Sequence, residues 1–478
     1  MSATTAGDRL RAVLTATDAL SIDQAGDLHV EDRHLSSLLD EFGSPMFVLS
    51  ERTLRANYRR LHRAFASAWA ESIRVLYAIK ANNNLAVRSV MHSEGAGGDC
   101  FGLGELYATL AGGADPDTLV LNGSNKTETE LDAAVSLGMR VNIDSEDEIA
   151  TLERLCAERK TRARVAIRLK VAPHAFDSYA SDFFDVPEGH LREAVEREKW
   201  GFGEVAATDL VLRIAASDHL VFEGYHLHLG RLGQDPGIYR AWASELGATV
   251  RALTEKTAIS PRVLNIGGGW PRERDPESRS RDPNRHTIEE YANAVAHELE
   301  DQLTAAGIPL PELWLEPGRY LVGNAGLLLG RVGAVKRDLG RTWVNVDFST
   351  NNLTRIDSAG ASHHVVPVSR LLEPARVETI VVGGTCALSV IAEMTVLPAL
   401  ARGDGIAVLD AGMYAETTSN QYNAVPRPAT VLVNGSEADV VRERETIADV
   451  FATQRLPKRL RKPQHPEAAR LLESGHRS

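Results

Sequence analysis

Cysteine is scarce in this chain, with three in 478 residues. The odd, widely spaced set of Cys100, Cys156 and Cys386 argues against a disulfide framework and a cysteine-based metal finger. It fits a reducing compartment, so a cytoplasmic protein is expected. Long apolar runs are also missing. No stretch approaches the roughly 20 residues of a membrane helix, and the first residues lack the basic start and apolar core of a signal peptide. Nor is there a surplus of positive charge. Lys and Arg number 53 against 65 Asp and Glu, a net charge of −12, which speaks against nucleic acid or an anionic membrane as partner. No internal repeat or low-complexity segment stands out. What remains is a globular balance, 43% hydrophobic and 25% charged, with material for about two domains.

The run Val75-Leu76-Tyr77-Ala78-Ile79 reads as a strand buried on both faces, and Lys80 ends it. Two readings of Lys80 are open. It can cap the strand and reach solvent, or it can be an amine whose charge apolar walls disfavour, able to form a Schiff base with an aldehyde cofactor. From this run onward strands and helices alternate. Strands are expected at 75–80, 97–101, 118–122, 139–143, 163–169, 220–228, 262–266 and 312–316, with helices such as 103–111, 127–137, 145–158, 239–256 and 287–306 between them. Eight such units joined by right-handed crossovers make an α/β fold, a (β/α)8 TIM-like barrel. An open doubly wound sheet would carry a nucleotide fingerprint after its first strand, and none is there. Residues 170–204 break the rhythm and read as an insertion near the mouth.

The domain plan has five parts. Residues 1–25 read as a flexible leader or surface helix, and 26–45 as an N-terminal segment joining a C-terminal β domain. Residues 46–320 form the barrel, 321–454 a β-rich domain with strands near 327–335, 341–348, 377–382, 405–409 and 429–433, and 455–478 a basic solvated tail.

In a barrel the C-terminal strand ends converge on one mouth, and a ligand phosphate commonly sits at the loops after strands seven and eight. Here strand seven runs into Gly267-Gly268-Gly269 and strand eight into Glu316-Pro317-Gly318-Arg319. Backbone without side chains lets N–H groups approach an anion, and an arginine adds charge-assisted bonds. A glycine triplet can equally be a plain loop. Glu316 suits a cation such as a protonated pyridine nitrogen, or a salt bridge to a neighbouring lysine or arginine. His228 can lie against a planar ring or be a satisfied core histidine. Asp99, Glu105 and Arg168 also fall at or just past strand ends.

Taken in order, these motifs resemble a known family. They are Tyr77-Ala78-Ile79-Lys80-Ala81-Asn82, Gly98-Asp99 to Gly104-Glu105, Lys199-Trp200-Gly201-Phe202, His228-Leu229-Gly230, Gly267–Gly269, Glu316–Arg319, Cys386, Asp410-Ala411-Gly412-Met413-Tyr414 and Tyr422-Asn423. Their order is similar to that in the fold-type III (alanine-racemase-like) pyridoxal-phosphate decarboxylases. Within the ornithine/diaminopimelate/arginine group the chain resembles the diaminopimelate decarboxylases over residues 26–450. The resemblance implies pyridoxal 5'-phosphate as cofactor, an amino acid as substrate, decarboxylation as reaction and a homodimer with shared active sites. It also implies roles for individual residues. Lys80 would carry the cofactor covalently, Glu316 would keep the pyridine nitrogen protonated, and His228 would stack on the ring. Asp99 and Arg168 would line the cofactor site, and Gly267, Gly268, Gly269, Gly318, Arg319 and Tyr414 would hold the phosphate. Cys386 and the Tyr414 region would come from the partner subunit, and Cys386 would donate the proton after carbon dioxide leaves; a buried, inert cysteine is the alternative.

The chain departs from that family in its substrate pocket. Diaminopimelate decarboxylases follow the cysteine with glutamate, serine, glycine and aspartate, whereas here Ala387-Leu388-Ser389-Val390 follow. Alanine cannot pair with a substrate's distal ammonium, and an unpaired buried charge costs several kcal/mol. Arg355 aligns with an arginine that clamps a distal carboxylate, Arg231 stands where relatives carry a phosphate-binding serine, and Gly102 replaces another common serine. Arg355, Arg231, Tyr422 and Ala387 are therefore the expected substrate contacts. The leading reading is a decarboxylase of altered specificity for a less cationic substrate, acidic or conjugated. The alternatives are a racemase or epimerase using Lys80 and Cys386 on opposite ring faces, and a non-catalytic pyridoxal-phosphate-binding partner protein.

Overall fold

The computed structural model describes residues 4–179, 189–228, 230, 232–278 and 283–460. The chain divides into two units, one of residues 54–322 and one combining residues up to 53 with those from 323 onward. Among the described residues no helix is long and apolar enough to cross a membrane.

The first unit is a closed barrel of eight parallel strands: Ile73–Ala78, Gly97–Phe101, Leu119–Asn122, Arg140–Ile143, Ala163–Arg168, Leu220–His226, Val263–Asn265 and Glu312–Leu315. Glu312–Leu315 pairs with Ile73–Ala78, which closes the ring. All eight expected strands are present because each is short, apolar and buried, as parallel strands covered on both faces must be. Their helices carry strong start signals. Thr127 and Glu130 form a capping box on Glu128–Leu137, and Asp235 caps Pro236–Thr257 with proline in its first turn. Inside the barrel Leu76, Val120, Val263 and Trp314 form an apolar layer. Below it the guanidiniums of Arg74 and Arg140 lie 5.2 and 4.7 Å from the Trp314 ring, while Arg140 and Glu223 pair at 2.7 Å. The N-terminal end is thus filled and charge-balanced, leaving the opposite end for chemistry.

The expected insertion leaves and returns at one point. Lys170 N–H donates to the Phe202 carbonyl at 2.9 Å, and Phe202 N–H to the Arg168 carbonyl at 2.8 Å. Residues 180–188, at its centre, lie outside the described residues.

The second unit holds a nine-stranded sheet and a small three-stranded one, Leu20–Ile22, Leu28–Val30 and Arg33–His34. The larger sheet organises the unit. Its longest strand, Gly326–Asp338, pairs antiparallel with Arg341–Val346, Gly405–Val408 and Met46–Ser50. Two assignments change here. Met46–Ser50, read as the start of the barrel, lies between Gly326–Asp338 and Ala429–Asn434 in this sheet. Its five buried residues satisfy either setting, and the pairing that decides between them involves chain nearly 400 positions away. Residues 4–25 are also not a loose leader. Helix Ala6–Arg11 is closed by a Thr5–Asp8 capping box, and Leu10 packs with Leu371, Val368 and Leu39. Within this six-residue helix only Ala6 and Leu10 are buried apolar side chains, which leaves too little periodicity to announce it. Of the expected basic tail, residues 461–478 lie outside the described residues.

Candidate active site

The strand ends at the mouth carry a ring of polar groups. Asp99, Asn122, Asn142, Arg168, His226, Asn265 and Glu316 are all buried, and most are linked. Asn122 Nδ2 donates to Asp99 Oδ1 at 2.6 Å and to Glu316 Oε1 at 3.0 Å. Asn142 Nδ2 donates to Asn122 Oδ1 at 2.7 Å, which fixes the amide's orientation. Asn265 Nδ2 adds a bond to Glu316 Oε1 at 2.8 Å, and His226 Nε2 lies 3.2 Å from Oε2. Burial alone would raise both carboxyls, but the His226 contact and hydrogen bond hold Glu316 well below the usual range. Asp99 is pushed up by burial and by the charge of Glu316. The array therefore keeps one buried carboxylate ionised and calls for a cation beside it.

Lys80 lies in the turn Ile79–Ala81, just past its strand rather than in it. Its Nζ is 3.7 Å from Asp99 Oδ2 and 5.0 Å from the centre of the Phe101 ring, with 39% of its side chain exposed. The amine thus sits beside the buried acids and open to a ligand. Trp200, from the expected segment 199–202, meets the edge of Phe101 at 6.1 Å and carries the Arg168 guanidinium at 4.5 Å. Arg168 also approaches Asp144 at 3.7 Å. Glu105 accepts the Phe101 N–H at 2.7 Å, and burial pushes its carboxyl up to about 7.

The first two glycines of the triplet are required by crowding. A Cβ on Gly268 would stand 2.1 Å from the Glu316 carbonyl oxygen, and one on Gly267 2.5 Å from that of Leu227. Gly318 meets Ala81 Cβ at 2.9 Å in the same sense. The first two N–H groups are already committed: Gly267 donates to Asn265 Oδ1 at 3.0 Å and Gly268 to His228 Nδ1 at 2.8 Å. Burial, followed by the charge of Lys80, holds His228 well below its ordinary value. With Nδ1 accepting, the neutral ring carries its proton on Nε2. The Arg319 guanidinium is buried and donates to Asp275 at 3.1 Å and Glu277 at 2.9 Å, so two carboxylates share its charge. Arg272, in the same loop, donates to the carbonyls of Arg319 and Tyr320.

The second unit holds a separate cluster. Cys386 is exposed, whereas Cys100 and Cys156 are the buried, inert cysteines. Cys386 Sγ lies 3.0 Å from Tyr422 Oη, and its N–H donates to Asn423 Oδ1 at 3.0 Å. Hydrogen bonds from Tyr422 and Asn423 lower the thiol's pKa, while that of Tyr422 rises through the same bond. The loop after Cys386 presents no carboxylate: Ala387 is half-buried, Leu388 is 93% exposed, and Ser389 Oγ turns inward to accept the Thr350 N–H at 3.1 Å. Arg355 opens helix Arg355–Ala359, with its guanidinium 5.7 Å from the centre of the Tyr414 ring. Tyr414 has φ +51°. Arg231 lies outside the described residues.

Sequence reasoning missed Asn122, Asn142, Asn265 and His226. The signal was present, since the expected strands 118–122, 139–143 and 262–266 each carry an asparagine at or near their C-terminal ends. In His226-Leu227-His228 the first histidine reaches the buried carboxylate and the second faces the glycine turn.

Residues 52–323 match the family model described as pyridoxal-dependent decarboxylase, pyridoxal binding domain. A diaminopimelate decarboxylase of Methanothermobacter thermautotrophicus is 34% identical over 449 residues, 93% of this chain and 99% of that one. One from Deinococcus radiodurans is 32% identical over 427 residues, 88% and 99% of the respective chains. The crystal structure of diaminopimelate decarboxylase from M. jannaschii in co-complex with L-lysine superposes with a TM-score of 0.84 at 26% identity, covering 94% of this chain and 100% of that chain.

Proposed function

Because this chain belongs to the pyridoxal-dependent decarboxylases, we propose a division of labour among its site residues and a substrate whose distal end carries no ammonium group. The protein is a pyridoxal-phosphate-dependent amino-acid carboxy-lyase. The residues fit the cofactor. An ionised buried carboxylate suits a pyridinium, an exposed amine suits an aldehyde, and a turn that admits no Cβ suits close approach by a phosphate-bearing ring. When bound, pyridoxal phosphate supplies a conjugated ring that accepts the electron pair left behind as carbon dioxide departs.

The chain's own groups do the rest. Lys80 Nζ holds the cofactor, and Asp99 at 3.7 Å orients that amine. Glu316, kept ionised, holds a proton on the ring nitrogen. His228, kept neutral, packs against the ring without adding charge, and its bond to the Gly268 N–H fixes the glycine turn. Among the triplet this leaves Gly269 to meet the phosphate, with Gly318 and, as the resemblance implies, Tyr414 of the partner subunit. Arg319 instead stabilises the 272–278 loop. Cys386 Sγ, polarised by Tyr422, delivers the proton to Cα after carbon dioxide leaves. The resemblance places Cys386 at the partner's site, so the working unit is a homodimer. Three unpaired cysteines support a cytoplasmic setting.

The observation carrying this reading is the Asn122 bridge between Asp99 and Glu316, with Lys80 beside it. The specificity proposal rests on Ala387 and Leu388, where no acid meets a distal ammonium, and on Arg355 as a partner for a distal carboxylate or its conjugate. Borohydride reduction of the loaded protein should label Lys80. Carbon dioxide release should favour acidic or N-acylated amino acids in a substrate panel. Absence of label overturns the site assignment, and efficient turnover of meso-diaminopimelate overturns the pocket argument alone.

A further inference from the structure

We propose that Asp23, His29 and His34 form a binding site for a divalent transition-metal ion of the zinc class. One ligand atom from each lies within 4.8 Å of the others. His29 and His34 are direct partners across the antiparallel pairing of strands Leu28–Val30 and Arg33–His34, with ring centroids 3.8 Å apart and planes at 45°. Asp23, immediately after strand Leu20–Ile22, places Oδ2 3.2 Å from His29 Nε2. Its other oxygen accepts the N–H groups of Ala25 and Asp27, both at 2.9 Å. The carboxylate is therefore fixed with its second oxygen toward the imidazoles.

The hairpin bearing the histidines is anchored independently of any ion. Its turn residue Glu31 has φ +53° and a buried carboxylate, which accepts Ser50 Oγ at 2.7 Å, Arg52 N–H at 2.9 Å and Gly435 N–H at 2.6 Å. Ligands held by backbone pairing and a buried clamp lose little freedom on binding, the condition under which a small donor set becomes a site. Two imidazole nitrogens and one carboxylate oxygen select zinc, nickel or copper over calcium or magnesium. Bonds of about 2.1 Å place tetrahedral donors roughly 3.4 Å apart. Rotation of His34, which is exposed, closes the set and leaves the fourth position to water. The bound ion would tie the end of the first strand to the hairpin that follows it.

The test is calorimetric titration of chelator-treated, cofactor-loaded enzyme with zinc chloride in a non-coordinating buffer. Wild type should take up one zinc per chain at micromolar affinity and gain thermal stability. Asp23→Asn and His34→Ala should weaken that uptake at least tenfold and abolish the gain. Because His34 is exposed and makes no side-chain helix cap, His34→Ala separates ligation from folding. The proposal is overturned if wild type shows no saturable uptake. It is equally overturned if His34→Ala and a His29→Ala/His34→Ala double variant bind zinc as wild type does, which would put the ion elsewhere.

Discussion

Asn122 serves two buried acids with one nitrogen, and much of the mouth's electrostatics depends on that choice. Replacing it with alanine removes a donor from both Asp99 and Glu316 and leaves their repulsion unrelieved, at a penalty of roughly 1–3 kcal/mol per unsatisfied group. Asn122→Ala should release pyridoxal phosphate on dialysis, followed by loss of its absorbance, and should lower kcat tenfold or more. Glu105 offers a pH-dependent test. Its carboxyl is raised from 4.5 to about 7 in the folded state, so the folded protein binds that proton more tightly than the unfolded chain. The associated stability is complete below pH 4.5 and is lost as pH rises through 7. Glu105→Gln keeps an oxygen for the Phe101 N–H and removes the titration. Its advantage in thermal melts should be near zero at the acid end and grow to about 1–2 kcal/mol above neutrality, allowing for partial solvent screening.

At the level of elements, the glycine turn after the seventh strand is the least forgiving. A methyl at Gly268 collides with backbone, the Glu316 carbonyl at 2.1 Å, which cannot rotate away as a side chain would. Gly268→Ala should cost about 1–3 kcal/mol in denaturant melts and weaken cofactor retention, while Gly104→Ala, with nothing within 4 Å, should do neither. The eight barrel strands were legible because strands buried on both faces are written as continuous apolar runs. Strands Val390–Leu397 and Glu437–Arg442 were not, because most of their residues are partly or fully exposed and Met394 interrupts the former at φ +49°. The mouth was half legible. Charged residues at strand ends stand out, but the asparagines linking them have no charge to advertise a site. That Arg319 pairs with two acids depended on Asp275 and Glu277, in a loop the sequence reading passed over.

For the whole molecule, the proposed sharing of sites between subunits has a numerical signature. Lys80→Ala and Cys386→Ala should each be severely impaired alone. Unfolded together and refolded as a mixture, they should recover about a quarter of wild-type activity, since half the random dimers then hold one complete site of two. A monomer in light scattering, or no recovery on mixing, would count against shared sites.

Strand Met46–Ser50 has partners at 326–329 and 429–433, and this sets an order of events during synthesis. At the ~5–20 residues per second of translation, the 276 positions separating 50 from 326 take roughly 14 to 55 seconds to make. Throughout that wait the apolar strand has left the ribosome with no lasting neighbour, while all of 54–322 emerges behind it. A nascent chain halted anywhere before residue 326 therefore presents an unshielded sticky segment to whatever chaperones and proteases are nearby, however well its barrel has formed.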